Sequence, residues 1–173
     1  MAPDRPNIVL VGLPGAGKTT IGRAAAKKLN WPFIDFDTEI EHREHASVSA
    51  IFAEKGQDYF RGLEQSLSRE LSVCKGTVMS AGGGWITNRE SVALLRGAGR
   101  IVYLRVGIDA AMSRLKSARV PRPLLAGADP LSKLTALLEA RHLLYEDADL
   151  TIDTEVVERK EVIEQVRSYA ESL

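Results

Sequence analysis

Gly12-Leu13-Pro14-Gly15-Ala16-Gly17-Lys18-Thr19 follows directly on the apolar run Asn7-Ile8-Val9-Leu10-Val11 and leads into a stretch of helical spacing over 18–29. The pattern G-x-x-x-x-G-K-[ST], set between a buried strand and a helix, is a phosphate loop. Glycines at 12, 15 and 17 allow positive φ, which lets successive backbone N–H groups from Gly15 through Ala16, Gly17, Lys18, Thr19 and Thr20 gather around phosphate oxygens. The helix that follows points its positive end at the same place. Lys18 is then expected at the β and γ phosphates, and the Thr19 hydroxyl at Mg²⁺. A glycine turn that merely joined strand to helix would need neither residue in that frame.

The same phrase recurs along the chain. Strand-like runs at 32–35, 77–80, 100–105 and 150–153 each end in a polar or glycine-rich turn followed by helical periodicity. Strands alternating with helices imply right-handed crossovers and a parallel sheet, with ligands beyond the carboxyl ends of the strands. The expected fold is therefore a single α/β domain over 1–173: a three-layer α/β/α sandwich around a five-stranded parallel sheet.

Two stretches break the rhythm. Residues 35–75 hold helical material only, including 38–45 and 57–74, which is too much for one simple crossover. Residues 116–130, Lys-Ser-Ala-Arg-Val-Pro-Arg-Pro-Leu-Leu-Ala-Gly-Ala-Asp-Pro, carry three prolines and a glycine, so they read as a long loop with a task of its own.

Composition removes several classes of function. Twenty-three basic and twenty-three acidic side chains cancel, which argues against a nucleic-acid or membrane-surface partner. No apolar run approaches the ~20 residues of a membrane span, and the start of the chain has no signal-type core, so a cytoplasmic location is expected. Cys74 is the single cysteine. It cannot form an internal disulfide, and it reads as a small side chain on a helix face. His42 and His45 have no third ligand at metal-binding spacing and read as exposed helix residues.

The acceptor side begins at Phe33-Ile34-Asp35-Phe36-Asp37. Two carboxylates end the second strand, and strand alternation sends both to one side. Asp35 suits a position in the water shell of Mg²⁺, and Asp37 suits an acceptor hydroxyl. As an isolated pair they read equally well as helix-start residues, with Asp37 or Thr38 opening the helix through Glu41. Farther on, Phe60-Arg61 supplies a guanidinium. Gly82-Gly83-Gly84, after the strand at 77–80, supplies bare backbone that a ligand can approach closely.

These residues together with Arg122-Pro123-Leu124-Leu125 and Arg141 followed by Tyr145 stand in the order and approximate spacing of shikimate kinases. The resemblance runs from about Asn7 to Asp153. It implies a P-loop fold of the nucleoside-monophosphate-kinase type with a lid at 116–130 and a substrate-binding region at 35–75. The implied reaction moves the γ-phosphoryl group of ATP to the 3-hydroxyl of shikimate, giving shikimate 3-phosphate and ADP in aromatic amino-acid biosynthesis. By the same resemblance, Asp37 binds the shikimate hydroxyls and acts as base. Arg61 and Arg141 grip the carboxylate, and Gly82, Gly83 and Gly84 present backbone, with Gly83 as the contact. Arg122 in the lid reaches the phosphates, whereas Arg119 reads as a solvated cation. Mg²⁺ and ATP are the implied cofactor and co-substrate, and a monomer suffices.

Two departures stand out. After Ile152-Asp153-Thr154 the chain reads Glu155-Val156-Val157-Glu158, with no arginine where many relatives place a purine contact; Arg159 is the nearest substitute. Arg114-Leu115-Lys116 aligns poorly with the arginine that precedes the lid in relatives, and no role follows for it. Within the enzymes, a gluconate kinase or another small-metabolite kinase is the rival, opposed by the three glycines and the arginine pair. A silent nucleotide-binding module or switch is the rival from another class, opposed by Lys18, Asp37 and Arg122 occurring together and by the lack of an Asn-Lys-x-Asp motif.

Overall fold

The computed structural model describes residues 5–118, 125 and 127–173. Its five strands are β1 (Asn7–Val11), β2 (Phe33–Asp35), β3 (Val78–Ser80), β4 (Gly99–Arg105) and β5 (Leu150–Asp153). All pair in parallel, in the order β2-β3-β1-β4-β5. Every residue of β1 and β3 is buried, as expected of inner parallel strands covered by helices on both faces. The helices are α1 (Lys18–Leu29), α2 (Phe36–Glu44), α3 (Val48–Leu71), α4 (Arg89–Ala98), α5 (Ile108–Ser117), α6 (Pro130–Glu146) and α7 (Arg159–Glu171). A 3₁₀ turn, Trp85–Thr87, follows β3. The five-stranded α/β sandwich expected from the sequence is the fold observed.

The strand order creates the site. The chain leaves β1 for the edge strand β2, skipping a place that β3 later fills, and afterwards crosses to β4 on the other side of β1. A crevice opens where the order reverses, beyond the carboxyl ends of β1 and β3. Leu10 pairs with Ser80, and Ala81 N–H donates to Leu10 O at 3.1 Å. The loop at 12–17 and the glycines at 82–84 are thereby fixed side by side.

The helical region at 35–75 is two helices with a break. Asp35 caps α2, its Oδ1 accepting from Thr38 N–H at 3.1 Å, and Ser47 caps α3 through Ala50 N–H. α3 bends at Gly56 (φ 82°, ψ 172°), a backbone conformation open in practice to glycine. Beyond the bend Phe60, Glu64, Leu67, Ser68 and Leu71 form one buried stripe at helical spacing. Trp85 holds the glycine turn against this stripe. It is fully buried, its ring meets Phe36 edge-on at 6.1 Å, and its Nε1–H donates to Ser68 Oγ at 2.9 Å.

Two local expectations need correction. β2 ends at Asp35, so Asp37 stands in the first turn of α2 and strand alternation does not relate the two carboxylates. Asp35 is the cap, in place of Asp37 or Thr38. Cys74 lies just past the end of α3, partly buried against the core, and not on a helix face.

Candidate active site

The loop at 12–17 is built by backbone constraint. Gly12, Gly15 and Gly17 all have positive φ, and a Cβ on Gly12 or Gly15 would stand 2.6 Å or 2.8 Å from the carbonyl oxygens of Leu104 and Ala111. Gly17 opens α1 with no side-chain cap, leaving the first-turn N–H groups to whatever occupies the crevice. Lys18 Nζ donates to Gly12 O at 2.8 Å and Leu13 O at 3.0 Å, which folds the ammonium over the concave side of its own loop. Thr19 Oγ1 donates to Asp35 Oδ2 at 2.6 Å, so one carboxylate ties the phosphate loop to the start of α2.

A cleft of about 540 Å³ runs along this loop. Gly15, Ala16, Gly17, Lys18, Thr19 and Thr20 line one wall, Asp35 and Asp37 the inner end, and Arg114, Thr154, Val156 and Arg159 the outer end. Arg114, given no role from sequence, organises that outer end. Its guanidinium donates to Gly15 O at 3.3 Å, Thr154 Oγ1 at 3.0 Å and Thr154 O at 3.1 Å, joining the phosphate loop to the turn after β5. That turn is tightened by Asp153, which the N–H groups of Glu155 and Val156 hold below the usual carboxylate pKa range. Val156 is exposed, leaving an apolar surface at the cleft mouth.

A smaller cavity of about 50 Å³ lies on the other side of Asp37. Val48, Phe52 and Phe60 give it an apolar wall; Arg61, Glu64, Gly82, Gly83, Gly84 and Leu125 complete it. Pro14, Asp37, Gly82 and Gly83 line both spaces, and Asp37 is the only ionisable side chain among the described residues that does so.

Each glycine of the turn has a different duty. A Cβ on Gly84 would sit 1.9 Å from Arg61 Nη2, so the guanidinium rests directly on that backbone. A Cβ on Gly82 would meet Glu64 Oε1 at 2.7 Å and Asp37 Oδ1 at 3.0 Å. Gly83 keeps ordinary clearance, but its carbonyl accepts from Arg141 Nη1 at 2.7 Å and Tyr145 Oη at 3.0 Å. Gly82 O and Gly84 O are taken by the N–H groups of Trp85 and Thr87. All three carbonyls of the turn are thus engaged within the protein. Arg141 is buried behind Gly83 and does not line the small cavity, whereas Arg61 does.

Sequence reasoning missed Glu64. It is wholly buried, and its Oε2 accepts from Arg61 Nη1 at 2.5 Å. Burial pushes its carboxyl up to about 7, against the pull of Arg61 and with a further push from Asp37. An acid at a core position of a helical stripe, four residues after Phe60 and three before Leu67, was the available signal. Of the lid residues, Leu125 is described and buried against the small cavity, whereas Arg119 and Arg122 lie outside the described residues.

No helix among the described residues is long and apolar enough to cross a membrane. No cluster of three His, Cys, Asp or Glu side chains suitable for a metal occurs among them either. The pair Thr19 and Asp35 nevertheless suits Mg²⁺, which takes one or two protein oxygens and fills its octahedron with water and phosphate.

A family model described as shikimate kinase matches residues 14–171. A shikimate kinase of Pseudomonas syringae pv. tomato is 44% identical over 150 residues, 86% of this chain and 87% of that protein. Shikimate kinase 1 of Sodalis glossinidius is 41% identical over 98% of each. Among solved structures, the shikimate kinase of Acinetobacter baumannii in complex with shikimate superposes with a TM-score of 0.88 at 36% identity, covering 97% of this chain and 94% of that one. Similarity of this strength along nearly the whole length, on a fold that carries a phosphate loop beside a small acceptor cavity, places the chain in the shikimate kinase family.

Proposed function

We propose that this protein transfers the γ-phosphoryl group of ATP to the 3-hydroxyl of shikimate, with the nucleotide in the large cleft and shikimate in the small cavity. The observation that carries the reading is Asp37, a carboxylate lining both spaces at their seam. Phosphoryl transfer asks the protein for positioning and for cations around the equatorial oxygens. The N–H groups of the loop at 12–17 hold the phosphates, and Lys18 turns from its own loop carbonyls toward the β and γ oxygens. Thr19 and Asp35 would hold Mg²⁺, which would neutralise phosphate charge there. Asp37 holds the 3-hydroxyl and takes its proton as the oxygen bonds to phosphorus and the bond from the γ-phosphorus to the β,γ-bridging oxygen breaks, releasing ADP, and Arg122 supplies a second cation. Arg114, Thr154, Val156 and Arg159 form the adenine end.

At the acceptor, Arg61 offers its guanidinium to the shikimate carboxylate, a paired geometry that a planar fork makes well. Arg141 contributes charge and holds Gly83 so that the turn presents N–H groups to the ring. Both spaces belong to one chain, so the reading needs no second subunit, and its soluble small-molecule substrates suit a monomer working in the cytoplasm.

A coupled ADP-release assay with Mg·ATP and shikimate, gluconate or no acceptor tests the assignment. Turnover dependent on shikimate is expected; turnover with gluconate alone would move the protein to another acceptor. Arg61→Ala and Arg141→Ala are each expected to raise the shikimate KM by ten- to hundredfold, the loss of about one charge-assisted hydrogen bond or more. Unchanged KM in both variants would remove the carboxylate from this pocket. Gly84→Ala isolates the same contact differently. The backbone at Gly84 (φ −96°, ψ −5°) accepts alanine without strain, so only Arg61 has to move. The shikimate KM is expected to rise about tenfold with little change in melting temperature, whereas a large fall in melting temperature would show that Gly84 serves packing.

A further inference from the structure

Helix α5 has little hold on the core: of its ten residues only Ala111 is in the buried class. Leu115 and, just past the helix, Ala118 nevertheless give apolar surface to the large cleft. Val156 and Val157, in the turn after β5, give apolar surface to the same cleft. The turn is tied to the sheet by its own contacts. Asp153 Oδ1 accepts from Glu155 N–H and Val156 N–H, and Thr154 N–H donates to Arg105 O at 2.9 Å. None of these reaches α5.

Two side chains do. Arg114, in the last turn of α5, donates to Thr154 Oγ1 at 3.0 Å and Thr154 O at 3.1 Å. At the other end of the helix Glu155 Oε2 accepts from Gly107 N–H at 2.6 Å. Gly107 opens α5 and has no side chain with which to cap it, so the carboxylate supplies a hydrogen bond and a favourable charge at the helix start. These two side chains account for every hydrogen bond between α5 and the turn among the described residues.

We propose that Glu155 is a positioning residue for the nucleotide base: together with Arg114 it staples both ends of α5 to the turn after β5 and so presets the slot that takes adenine. The inference rests on the reading of the large cleft as the ATP site and of its outer end as the adenine end. A helix held by one tie can pivot about it. Gly107 and Arg114 are seven residues apart, about 10 Å along the helix axis, and two ties at that separation stop the pivot. Residues 155–158, Glu-Val-Val-Glu, include no arginine to contact a purine, so affinity for the base depends on apolar walls that are already in place when it arrives. Gly107 offers an independent way to break the tie. A Cβ there would stand 2.7 Å from Glu155 Oε2, while its backbone (φ −72°, ψ 161°) accepts alanine without strain, so Gly107→Ala displaces the carboxylate alone.

Steady-state kinetics with ATP, set beside inhibition by inorganic tripolyphosphate, tests the assignment, because tripolyphosphate fills the phosphate loop and carries no base. Glu155→Ala is expected to raise the ATP KM about tenfold, with kcat, the shikimate KM and the tripolyphosphate inhibition constant each within about twofold. Glu155→Gln keeps an acceptor oxygen for Gly107 N–H and is expected to restore the ATP KM to within about threefold of the unaltered protein. Gly107→Ala is expected to match Glu155→Ala, and the double variant to lose no more than either single one, since both remove one contact. An unchanged ATP KM in Glu155→Ala, with tripolyphosphate still competing against ATP, overturns the inference and leaves the cleft as the nucleotide site. Equal losses for ATP and tripolyphosphate, or a lower melting temperature with no change in either, also overturn it, by assigning Glu155 to the cleft as a whole or to capping of α5 alone. Failure of tripolyphosphate to compete with ATP in the unaltered protein would remove the nucleotide from this cleft, and the inference with it.

Discussion

Lys18→Ala is expected to lower shikimate-dependent turnover by about a thousandfold or more, with a smaller loss in ATP affinity. Preorganised cations act mainly on charge that develops during transfer, and deleting one such group costs on the order of 10²–10³ in kcat where the chemistry is electrostatic. Two features place Lys18 at the upper end of that range. It is the residue that opens α1 at the mouth of the phosphate loop, and its Nζ already lies over Gly12 O and Leu13 O within the concavity that the phosphates would enter. The loop itself should survive the loss of the two lysine hydrogen bonds, because Gly12 and Gly15 also pack closely against the backbone of Leu104 and Ala111. Single-turnover kinetics with calorimetry of ATP binding separate the two roles. Turnover within tenfold of the unaltered protein would remove Lys18 from the chemistry.

The parts of the site that were legible in the sequence are those in which backbone does the work over a short span. The phosphate loop occupies consecutive residues, and its glycines declare the conformation. Asp35 was legible because it ends a strand, although it turned out to serve as helix cap and partner of Thr19 together. Strand alternation does not place Asp37: the chain turns helical at Phe36, and it is the first turn of α2 that carries Asp37 to the seam of the two spaces. Alternation holds only while a strand continues, and β2 is three residues long.

Contacts between distant segments were not legible. Arg114 meets Gly15 and Thr154 across sequence separations of 99 and 40 residues, and no local pattern marks it. Glu64 carried a signal, since the stripe from Phe60 to Leu71 predicts a buried face and an acid on it demands a partner. Arg61 and Glu64, one helical turn apart, are that pair. Arg141 is assigned to the acceptor's carboxylate by family resemblance alone; the structure shows its Nη1 donating to Gly83 O, a contact 58 residues apart that no local pattern marks.

Asp37→Asn is the substitution that separates a base from a mere anchor. The amide keeps the size of the carboxylate and one acceptor oxygen, so an anchoring role alone would cost less than about tenfold. Removal of a general base costs about 10²–10⁴. A loss of about a thousandfold in kcat is expected, with ATP affinity within a few-fold and the shikimate KM raised modestly. The asymmetry follows from position. Asp37 borders the phosphate cleft where Asp35 and Thr19 also stand and faces the small cavity as well, whereas Asp35 is hydrogen-bonded to Thr19 of the phosphate loop. Replacing Asp37 should therefore leave nucleotide binding nearly intact and remove the group proposed to receive the hydroxyl proton. Turnover measured by ADP release, set beside calorimetry with ATP, decides the matter: a loss confined to ATP affinity would assign Asp37 to the metal side with Asp35, and a loss below tenfold would leave proton removal to another group.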